Sequence, residues 1–282
     1  MMKSTRTMGQ LPAGRNGSKQ ISTVDPIEWL RSESQIDQRT LHDGRTKLSA
    51  TVSAHMQLNP RRIRITFSGV DVAAFVRLGA AQIPGNWIKL FLPTPAGGSV
   101  GRAYTLRKLD LEAGTFDVDF VIHKTGAVSL WAQAAQVGDA VTFAGPRDGG
   151  FNLRPDTQRL LLIGDATALS AIQAILSHVP SDLPVEALIV LEHPTEHETL
   201  AAGPHVRVHW ISSAEDAPGE PGALENAFNQ LPAWLDPCQV WMAGESSTVV
   251  AARRLLDERW AMEETRIHSK IYWKRGTSHF RT

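Results

Sequence analysis

The sequence predicts a β plus α/β fold, in which a small, closed six-stranded antiparallel barrel is followed by a parallel-sheet α/β domain. Between residues 46 and 155, short segments alternate apolar and polar residues and end at Asn-Pro, Ser-Gly and Gly-Asp turn signals. After Pro155 the apolar segments become continuous and alternate with helical patterns, which is typical of βα units on a parallel sheet. We therefore expect a β-barrel domain over residues 46–155 and an α/β domain over residues 156–282.

Each predicted element rests on a local pattern. The candidate strands of the barrel have alternating or β-branched residues and are 46–58, 61–67, 87–92, 104–109, 116–123 and 140–144. A helix over residues 128–136 is expected between the last two strands, because its apolar residues fall on one face. The strands predicted for the second domain are 159–165, 187–191, 206–210 and 239–244. Helices are expected over residues 167–178 and from Ser246 to about residue 263.

Composition limits the kinds of partner that the protein can have. The chain has 282 residues, of which 42% are hydrophobic and 21% charged, as is usual for soluble globular proteins. The formal net charge is zero, so the overall charge favours neither a nucleic-acid partner nor a membrane. An anionic ligand would therefore have to be met by a local basic patch.

The sequence predicts no metal site. The single cysteine, Cys238, excludes an intrachain disulfide and a cysteine-ligated zinc site. The segment from His193 to His197 matches the spacing of a zinc-binding helix motif. However, this segment directly follows an apolar strand and contains Pro194, which disfavours the continuous helix that the motif requires.

Residues 1–45 are expected to form a flexible basic head and a short helix. The head has scattered Lys and Arg residues among Gly, Ser and Thr, without the apolar segment of a secretory signal. The helix is expected to begin at Asp25, with Pro26 in its first position. No apolar segment of the sequence has the length of a membrane span, so we expect a cytoplasmic protein.

The segment Arg102-Ala103-Tyr104-Thr105 is the first candidate site. An arginine can bind a phosphate with two parallel hydrogen bonds, and a neighbouring aromatic ring can lie on a flat cofactor. Tyr104 is one of only two tyrosines, and the other is Tyr272. The same pattern is also typical of an ordinary half-buried strand, and both interpretations stay open at this point.

A second candidate site follows the predicted strand that ends at His123. Gly126 comes next as a turn residue, and a predicted helix then begins near Ser129. A helix N-terminus presents free N–H groups and a positive dipole end to a phosphate. The segment therefore predicts a diphosphate site, although a lone histidine at a strand end more often has a structural role.

Two predicted strands of the α/β domain end in glycine, in Gly164-Asp165-Ala166-Thr167 and in Ala243-Gly244-Glu245-Ser246. Ligands of such sheets bind at the carboxyl ends of the strands, so these turns are candidates for nucleotide binding. The strong Gly-x-Gly-x-x-Gly and P-loop motifs are absent from the sequence, and plain strand-to-helix turns are an equal alternative. The segment from Lys270 to Gly276 contains Tyr272 and Trp273, and we expect it to dock on the protein.

Taken together, these segments resemble the FAD-binding domain of siderophore-interacting proteins. The matching residues, in family order, are Arg102 to Thr105, Asp119 to His123, Gly126, Trp131-Ala132, Gly138-Asp139, Ala144 to Arg147, Gly164 to Leu169, Ala243 to Glu245 and Tyr272 to Gly276. The resemblance covers about residues 46–276. The family belongs to the ferredoxin-reductase-like flavoproteins, whose order of barrel and α/β domain agrees with the patterns above.

The resemblance implies a ferric-siderophore reductase, in which NADH or NADPH reduces FAD and single electrons then reduce siderophore-bound Fe(III). The cofactor-binding residues that it implies are Arg102, Ala103, Tyr104, Thr105, Val121, Ile122, His123, Gly126, Ala127, Val128, Ser129, Asp165, Thr167, Ala168, Gly244, Glu245 and Trp273. Arg102 would hold the diphosphate, and Trp273 would close over the cofactor. Tyr104 against the flavin ring and Thr105 near its redox nitrogen would be the catalytic residues.

The implied substrate is an anionic iron chelate, which calls for a basic pocket. The candidates are Lys89, Arg147, Lys270, Lys274 and Arg275, and for each the alternative is a solvated surface charge. Three questions stay open: the siderophore, NADH against NADPH, and a ferredoxin as the electron source. We expect a monomer, and the rival functions are a flavin reductase with another acceptor and a non-enzymatic siderophore-binding module.

Overall fold

The computed structural model describes residues 46–94, 97–123, 126–200, 203–212, 222–232, 237–260 and 262–277. The predicted basic head and short helix of residues 1–45 lie outside these residues. The described chain forms an antiparallel sheet followed by a parallel sheet with helices, and the predicted fold class is confirmed.

Seven strands form the antiparallel sheet. They are β1 (Leu48–Asn59), β2 (Arg62–Ser68), β3 (Trp87–Pro93), β4 (Ser99–Thr105), β5 (Lys108–Asp110), β6 (Thr115–Val121) and β7 (Ala140–Arg147). Their hydrogen-bonded order is β4-β3-β7-β1-β2-β6-β5. Strands β4 and β5 are therefore the edges, and the sheet is an open barrel without backbone pairing between those edges in the described chain.

The prediction of six strands and a closed barrel was wrong in detail. The predicted strand 104–109 is two strands, because the chain turns at Leu106, whose N–H donates to the Asn86 carbonyl over 2.9 Å. The residues after this turn form β5, which pairs with β6. Side chains bridge the open side of the barrel, where the rings of Tyr104 on β4 and Phe120 on β6 lie 4.4 Å apart.

The core of the antiparallel sheet follows from the alternation of its strands. Inward residues are fully buried, while a short helix that the sequence analysis missed, α1 (Val70–Phe75), covers one end. Phe75 packs edge-on against Phe116 and Phe143, with centroid distances of 6.0 and 5.0 Å. The predicted helix before β7 is α2 (Ala127–Ala134), slightly shorter than expected.

Five strands form the second sheet. They are β8 (Arg159–Asp165), β9 (Val185–Leu191), β10 (Val206–Ser212), β11 (Cys238–Glu245) and β12 (Ile267–Trp273), in the order β10-β9-β8-β11-β12. All neighbouring strands are parallel. The four predicted strands are present, and the aromatic-basic segment expected to dock is a fifth strand, β12, along β11.

Helices cover both faces of the parallel sheet. They are α3 (Leu169–Leu176), α4 (Ala223–Gln230) and α5 (Ser246–Arg259), of which α4 was not predicted. Helix α3 packs on one face through Ile172, whereas α4 and α5 pack on the other through Phe228 and Leu256. The segment that resembles a zinc motif forms a 3-10 turn, Pro194–Glu196, instead of an α-helix.

Buried polar groups connect the two sheets. Arg62 on β2 is 3% exposed, pairs with Glu198 at 2.9 Å and donates to the Ala166 carbonyl. Gln173 on α3 donates to the same Glu198 at 2.8 Å and accepts a hydrogen bond from Arg107. These residues hold the start of α3 and the segment after β9 against the antiparallel sheet.

A second set of contacts runs beside the first. Asp119 on β6 accepts two hydrogen bonds from Arg64, at 2.7 and 3.0 Å, and one from Ser170 on α3, at 3.1 Å. We call the two sets together, Arg62, Arg64, Arg107, Asp119, Ser170, Gln173 and Glu198, the inter-sheet network. Pro155 lies between the sheets in sequence, and the domain boundary there stays a prediction. Among the described helices, none is long and apolar enough to cross a membrane.

Candidate functional site

A cleft of about 720 Å³ opens between the two sheets, and we call it the first cleft. Residues of both sheets line it: Trp87, Val100, Arg102, Ala103, Tyr104, Thr105, Asp119, Val121, His123, Gly126, Ala127, Val128, Ser129, Thr167, Lys270, Tyr272, Trp273, Lys274, Gly276 and Thr277. Most of the predicted cofactor-binding residues are therefore brought together. The predicted residues Ile122, Asp165, Ala168, Gly244 and Glu245 are not in this lining.

Strand β4 supplies one wall of the first cleft. It pairs only with β3 in the described chain, so its other edge is the open side of the barrel. The partly buried ring of Tyr104 is packed on Phe120, and burial raises the pKa of its hydroxyl, while Arg102 has a smaller opposite effect. Tyr104 is therefore a neutral, well-supported aromatic surface beside a permanent positive charge.

The segment around Gly126 supplies another part of the lining of the first cleft. Gly126 has a φ of 131° and precedes α2 without a side-chain cap, and the first turn of this helix contains no acidic residue. The Ser129 hydroxyl accepts a hydrogen bond from the N–H of His123 at 3.1 Å, which fixes the turn to the end of β6. The helix N-terminus is therefore open to an anion.

Asp165 joins the ends of three strands of the parallel sheet. Its carboxylate accepts hydrogen bonds from the N–H groups of Thr167 and Glu245, at 2.8 and 2.7 Å, and from Trp273 Nε1 at 2.9 Å. Burial raises its pKa, and these hydrogen bonds partly offset that effect. Gly244 is required beside it, because a Cβ at this position would lie 2.8 Å from the carboxylate. Asp165 and Gly244 thus hold the ends of β8, β11 and β12 together without lining the first cleft.

The C-terminal strand brings two aromatic residues to the site. Tyr272 packs on the core of the parallel sheet, and burial raises the pKa of its hydroxyl to about 12, against a smaller opposing effect of Thr105. The Trp273 ring lies 6.3 Å from the His123 ring and lines the first cleft. The predicted position of Trp273 over the cofactor site stays a prediction, but its place between both sheets is compatible with it.

Cationic residues surround an indole ring at the rim of the first cleft. Lys270 Nζ lies 4.6 Å and the Arg147 guanidinium 5.4 Å from the centroid of the Trp87 ring. Trp87 Nε1 and Lys270 Nζ both donate to the Asp148 carbonyl, at 2.9 and 3.0 Å. Burial lowers the pKa of Lys270, an effect that Asp148 opposes and Arg147 strengthens. Trp87 was missed by the sequence analysis, in which it was only the first residue of a strand.

The five basic residues predicted to form one pocket do not lie together in the structure. Lys270 and Lys274 line the first cleft, and Arg147 flanks it through Trp87. Lys89 is not in the cleft lining, because its ammonium group lies over the ring of Phe91, 5.7 Å from the centroid. Arg275 lines a different cleft and pairs there with a glutamate.

A second cleft of about 500 Å³ lies at the carboxyl ends of strands β8 to β11. Asp165, Glu245, Trp273 and Arg275 line it together with residues that the sequence analysis missed, Glu192, Glu225 and Arg254 among them. Trp273 lines both clefts. For Glu245, burial acts to raise the pKa, but hydrogen bonds from Ser247, Thr248 and the N–H of Arg275 outweigh it and the pKa is lowered.

The first cleft fits a dinucleotide that carries a flat ring system. Its volume is in the range of small-molecule sites, and it combines an aromatic surface with a few polar groups. Arg102 and the uncapped start of α2 can hold a diphosphate, and Tyr104 can support a ring. The fold and the cleft therefore define a flavoprotein of the ferredoxin-reductase type.

Family comparison agrees with this class. Residues 97–150 match the model of the siderophore-interacting FAD-binding domain, and residues 157–276 match that of the siderophore-interacting protein. The two matches cover more than half of the chain. The chain belongs to the siderophore-interacting protein family, and FAD is its cofactor.

Individual solved structures agree with the family assignment. A siderophore utilization protein from T. fusca is 28% identical, with a TM-score of 0.72 over 84% of this chain and 95% of that one. The siderophore-interacting protein SipS from Aeromonas hydrophila is 25% identical, with a TM-score of 0.70 over 82% and 93%.

Two curated relatives differ in how much of their length is matched. The mycobactin import ATP-binding/permease protein IrtA of Mycolicibacterium smegmatis is 32% identical over 80% of this chain but only 26% of its own length. The chain thus spans about a quarter of that relative. The ferric vibriobactin reductase ViuB of Vibrio cholerae is 26% identical over 76% of this chain and 84% of its own length.

Proposed function

We propose that the protein is an NAD(P)H-dependent ferric-siderophore reductase. The observation that carries the proposal is the rim of the first cleft, where Lys270 and Arg147 lie against the Trp87 ring beside the residues that we expect to bind FAD. The similarity to a ferric vibriobactin reductase over most of that protein's length supports the same substrate class. Cytoplasmic NAD(P)H would be the source of electrons.

The substrate would be an anionic chelate of Fe(III). Oxygen ligands hold Fe(III) tightly and Fe(II) weakly, so reduction loosens the iron without any ligand from the protein. Lys270 and Lys274 would attract the chelate by charge, and Trp87 would offer an aromatic face to it. When bound, FAD supplies the exchange between a two-electron donor and a one-electron acceptor.

The other residues of the first cleft would bind and orient. Arg102 and the N-terminus of α2 would neutralise the diphosphate, and Tyr104 would support one face of the ring. Thr105 is 8% exposed and has a hydroxyl that can donate or accept one hydrogen bond at the ring edge. Trp273 would cover the site on the side of the parallel sheet and limit the access of water.

The test is an anaerobic assay with NADH or NADPH, a ferric siderophore and a colorimetric chelator of Fe(II). We expect nucleotide oxidation coupled to Fe(II) release, with two iron ions reduced for each nucleotide. Free flavin is added as a competing acceptor, and a clear preference for it would support a flavin reductase instead. A chain that binds no FAD on reconstitution would be a non-enzymatic binding module.

The basic rim is tested with charge-removing variants. Lys270→Gln and Arg147→Gln should raise the KM for the ferric chelate several-fold while leaving the reduction of a neutral quinone acceptor unchanged. Arg207→Gln is the control, because Arg207 is 74% exposed on β10, where it pairs with Glu186. An equal effect of all three variants would count against a substrate site at the rim.

A further inference from the structure

We infer that the second cleft binds the adenosine end of the electron donor, and that Glu192 makes the protein select NADH over NADPH. The inference rests on the proposed function, because it names the donor of that reaction. The cleft of about 500 Å³ lies where four parallel strands end, the place at which nucleotides bind in sheets of this type.

The two clefts are placed to share one extended ligand. Trp273 lines both of them, and its indole is held by Asp165, which lines the second. A dinucleotide has its redox ring and its adenosine at opposite ends. One end can therefore reach the first cleft while the other end occupies the second.

The charge of the second cleft opposes an additional phosphate. Its described lining contains four carboxylates, Asp165, Glu192, Glu225 and Glu245, against two guanidinium groups, Arg254 and Arg275. NADPH differs from NADH only by the phosphate on the 2′ position of the adenosine ribose. The phosphate would add about two negative charges to a lining that already has an excess of them.

The two guanidinium groups already have carboxylate partners. Arg275 Nη2 lies 2.5 Å from Glu192 Oε1. Arg254 pairs with Glu258 at 3.0 Å and more loosely with Glu225 at 3.7 Å. A 2′-phosphate could recruit either arginine only in competition with a glutamate, and this competition weakens the binding of NADPH.

The N-terminus of α5 is also closed to a phosphate. The Glu245 carboxylate caps this helix by accepting hydrogen bonds from the N–H groups of Ser247 and Thr248, at 2.5 and 3.4 Å. Helix α3, by contrast, begins without a side-chain cap and without an acidic residue in its first turn. The first residues of α3, Leu169 and Ser170, are however buried against the antiparallel sheet, so this helix offers no open N-terminus to a phosphate either.

Glu192 has the position of a ribose-binding acid. It directly follows β9, the strand next to β8, and its side chain is 35% exposed at the cleft. A carboxylate at the end of such a strand accepts hydrogen bonds from the ribose hydroxyls and repels a 2′-phosphate. One residue can thus provide both the attraction for NADH and the repulsion of NADPH.

The test compares the binding of NAD⁺ and NADP⁺ to the FAD-loaded protein by titration calorimetry. We expect NAD⁺ to bind at least about ten-fold more tightly, a difference that falls as salt concentration rises. Equal affinities, tighter binding of NADP⁺, or binding of neither nucleotide would overturn the inference.

The role of Glu192 is tested by Glu192→Gln, which removes one charge and releases Arg275. The preference for NAD⁺ should fall about ten-fold, mainly because NADP⁺ binds better. Asp257→Asn is the matched control, because Asp257 is an exposed carboxylate on α5 that pairs with Arg253 outside the lining. An unchanged preference in Glu192→Gln would show that another feature selects the nucleotide.

These outcomes are separable from those of the proposed function. Nucleotide binding is measured without any iron compound, so failure to reduce a ferric siderophore would count against the function and leave the selectivity standing. Conversely, a reductase that uses NADH and NADPH equally well would keep its proposed function and lose the inferred selectivity.

Discussion

Trp273 Nε1 donates a hydrogen bond to Asp165 Oδ2 over 2.9 Å, at the wall that the two clefts share. Asp165 is only 6% exposed, and its burial raises its pKa. Each hydrogen bond to the carboxylate therefore offsets part of the cost of burying a charge. The pair fixes the orientation of the indole, which is part of the lining of both clefts.

Trp273→Phe removes the donor and keeps an aromatic ring. We expect the free energy of unfolding to fall by about 1.5–3 kcal/mol, since a hydrogen bond to a buried carboxylate is lost. Urea denaturation measures this change. The control is Trp210→Phe on the edge strand β10, where the indole packs on His197 with a centroid distance of 4.5 Å. Equal losses in the two variants would show that Asp165 gains nothing from Trp273.

Arg102→Ala should weaken the binding of FAD by about ten- to hundred-fold, because a charge-assisted contact with the diphosphate would be lost. Flavin fluorescence during reconstitution measures the affinity. Arg77→Ala is the control, since Arg77 donates to the carbonyls of Ala73 and Leu111 and does not line the first cleft. FAD affinity equal to that of the wild type in Arg102→Ala would refute the proposed role.

Gly126→Ala tests the turn before α2. A Cβ at this position meets no atom within 4 Å, so the expected destabilisation of about 1 kcal/mol comes from the φ of 131° alone. FAD affinity should fall as well, because the helix N-terminus would be displaced. Gly79→Ala is a matched control with the same open space, but without a positive φ. A similar effect of both variants would contradict the backbone argument.

Arg62→Met breaks the buried pair with Glu198 and leaves that carboxylate without its guanidinium partner, although Gln173 still donates a hydrogen bond to it. We expect a loss of about 3–5 kcal/mol in the free energy of unfolding. Arg254→Met, which breaks exposed pairs on α5, should cost less than about 1 kcal/mol. Chemical denaturation of both variants decides between a strong and a weak contribution of the buried pair.

Because of the half-buried imidazole of His268, we expect the protein to lose stability in weak acid. Burial, with a further contribution from Lys270, lowers its pKa below the ordinary 6.5, so the folded state holds a proton less tightly than the unfolded state. Stability should therefore fall as the pH drops through about 6.5. His268→Gln should lose less stability than the wild type between pH 7.5 and 5.5, measured by urea unfolding at each pH. Equal losses would refute the assignment.

Elements with a long, uniform apolar pattern were predicted well, whereas short elements and elements at a sheet edge were not. Strand β8 runs over Arg159–Asp165 as predicted, because Leu160, Leu161, Leu162 and Ile163 form a continuous buried apolar run. Helix α1 has six residues, which is too few for a helical period to be recognised. Strand β12 is half-buried at the edge of the sheet, so its aromatic and basic residues do not form a continuous apolar run.

Short sequence motifs pointed to only part of the candidate site. Arg102, Tyr104 and Gly126 come together in one cleft, in accordance with the motif order. The cationic residues were less predictable, because a lysine on a strand can extend toward either neighbour, as Lys89 does toward Phe91. Glu192 was missed because its proposed role depends on which strand lies beside β8, and the sequence does not specify strand order.

The inter-sheet network has a consequence for how the chain folds. A fragment ending near Pro155 would expose Arg62 and Asp119 to water and would lose their contacts with Glu198 and Ser170. Each half should therefore be less stable alone than within the whole chain. The whole described chain is expected to unfold in a single cooperative transition, with its two sheets acting as one rigid frame for electron transfer.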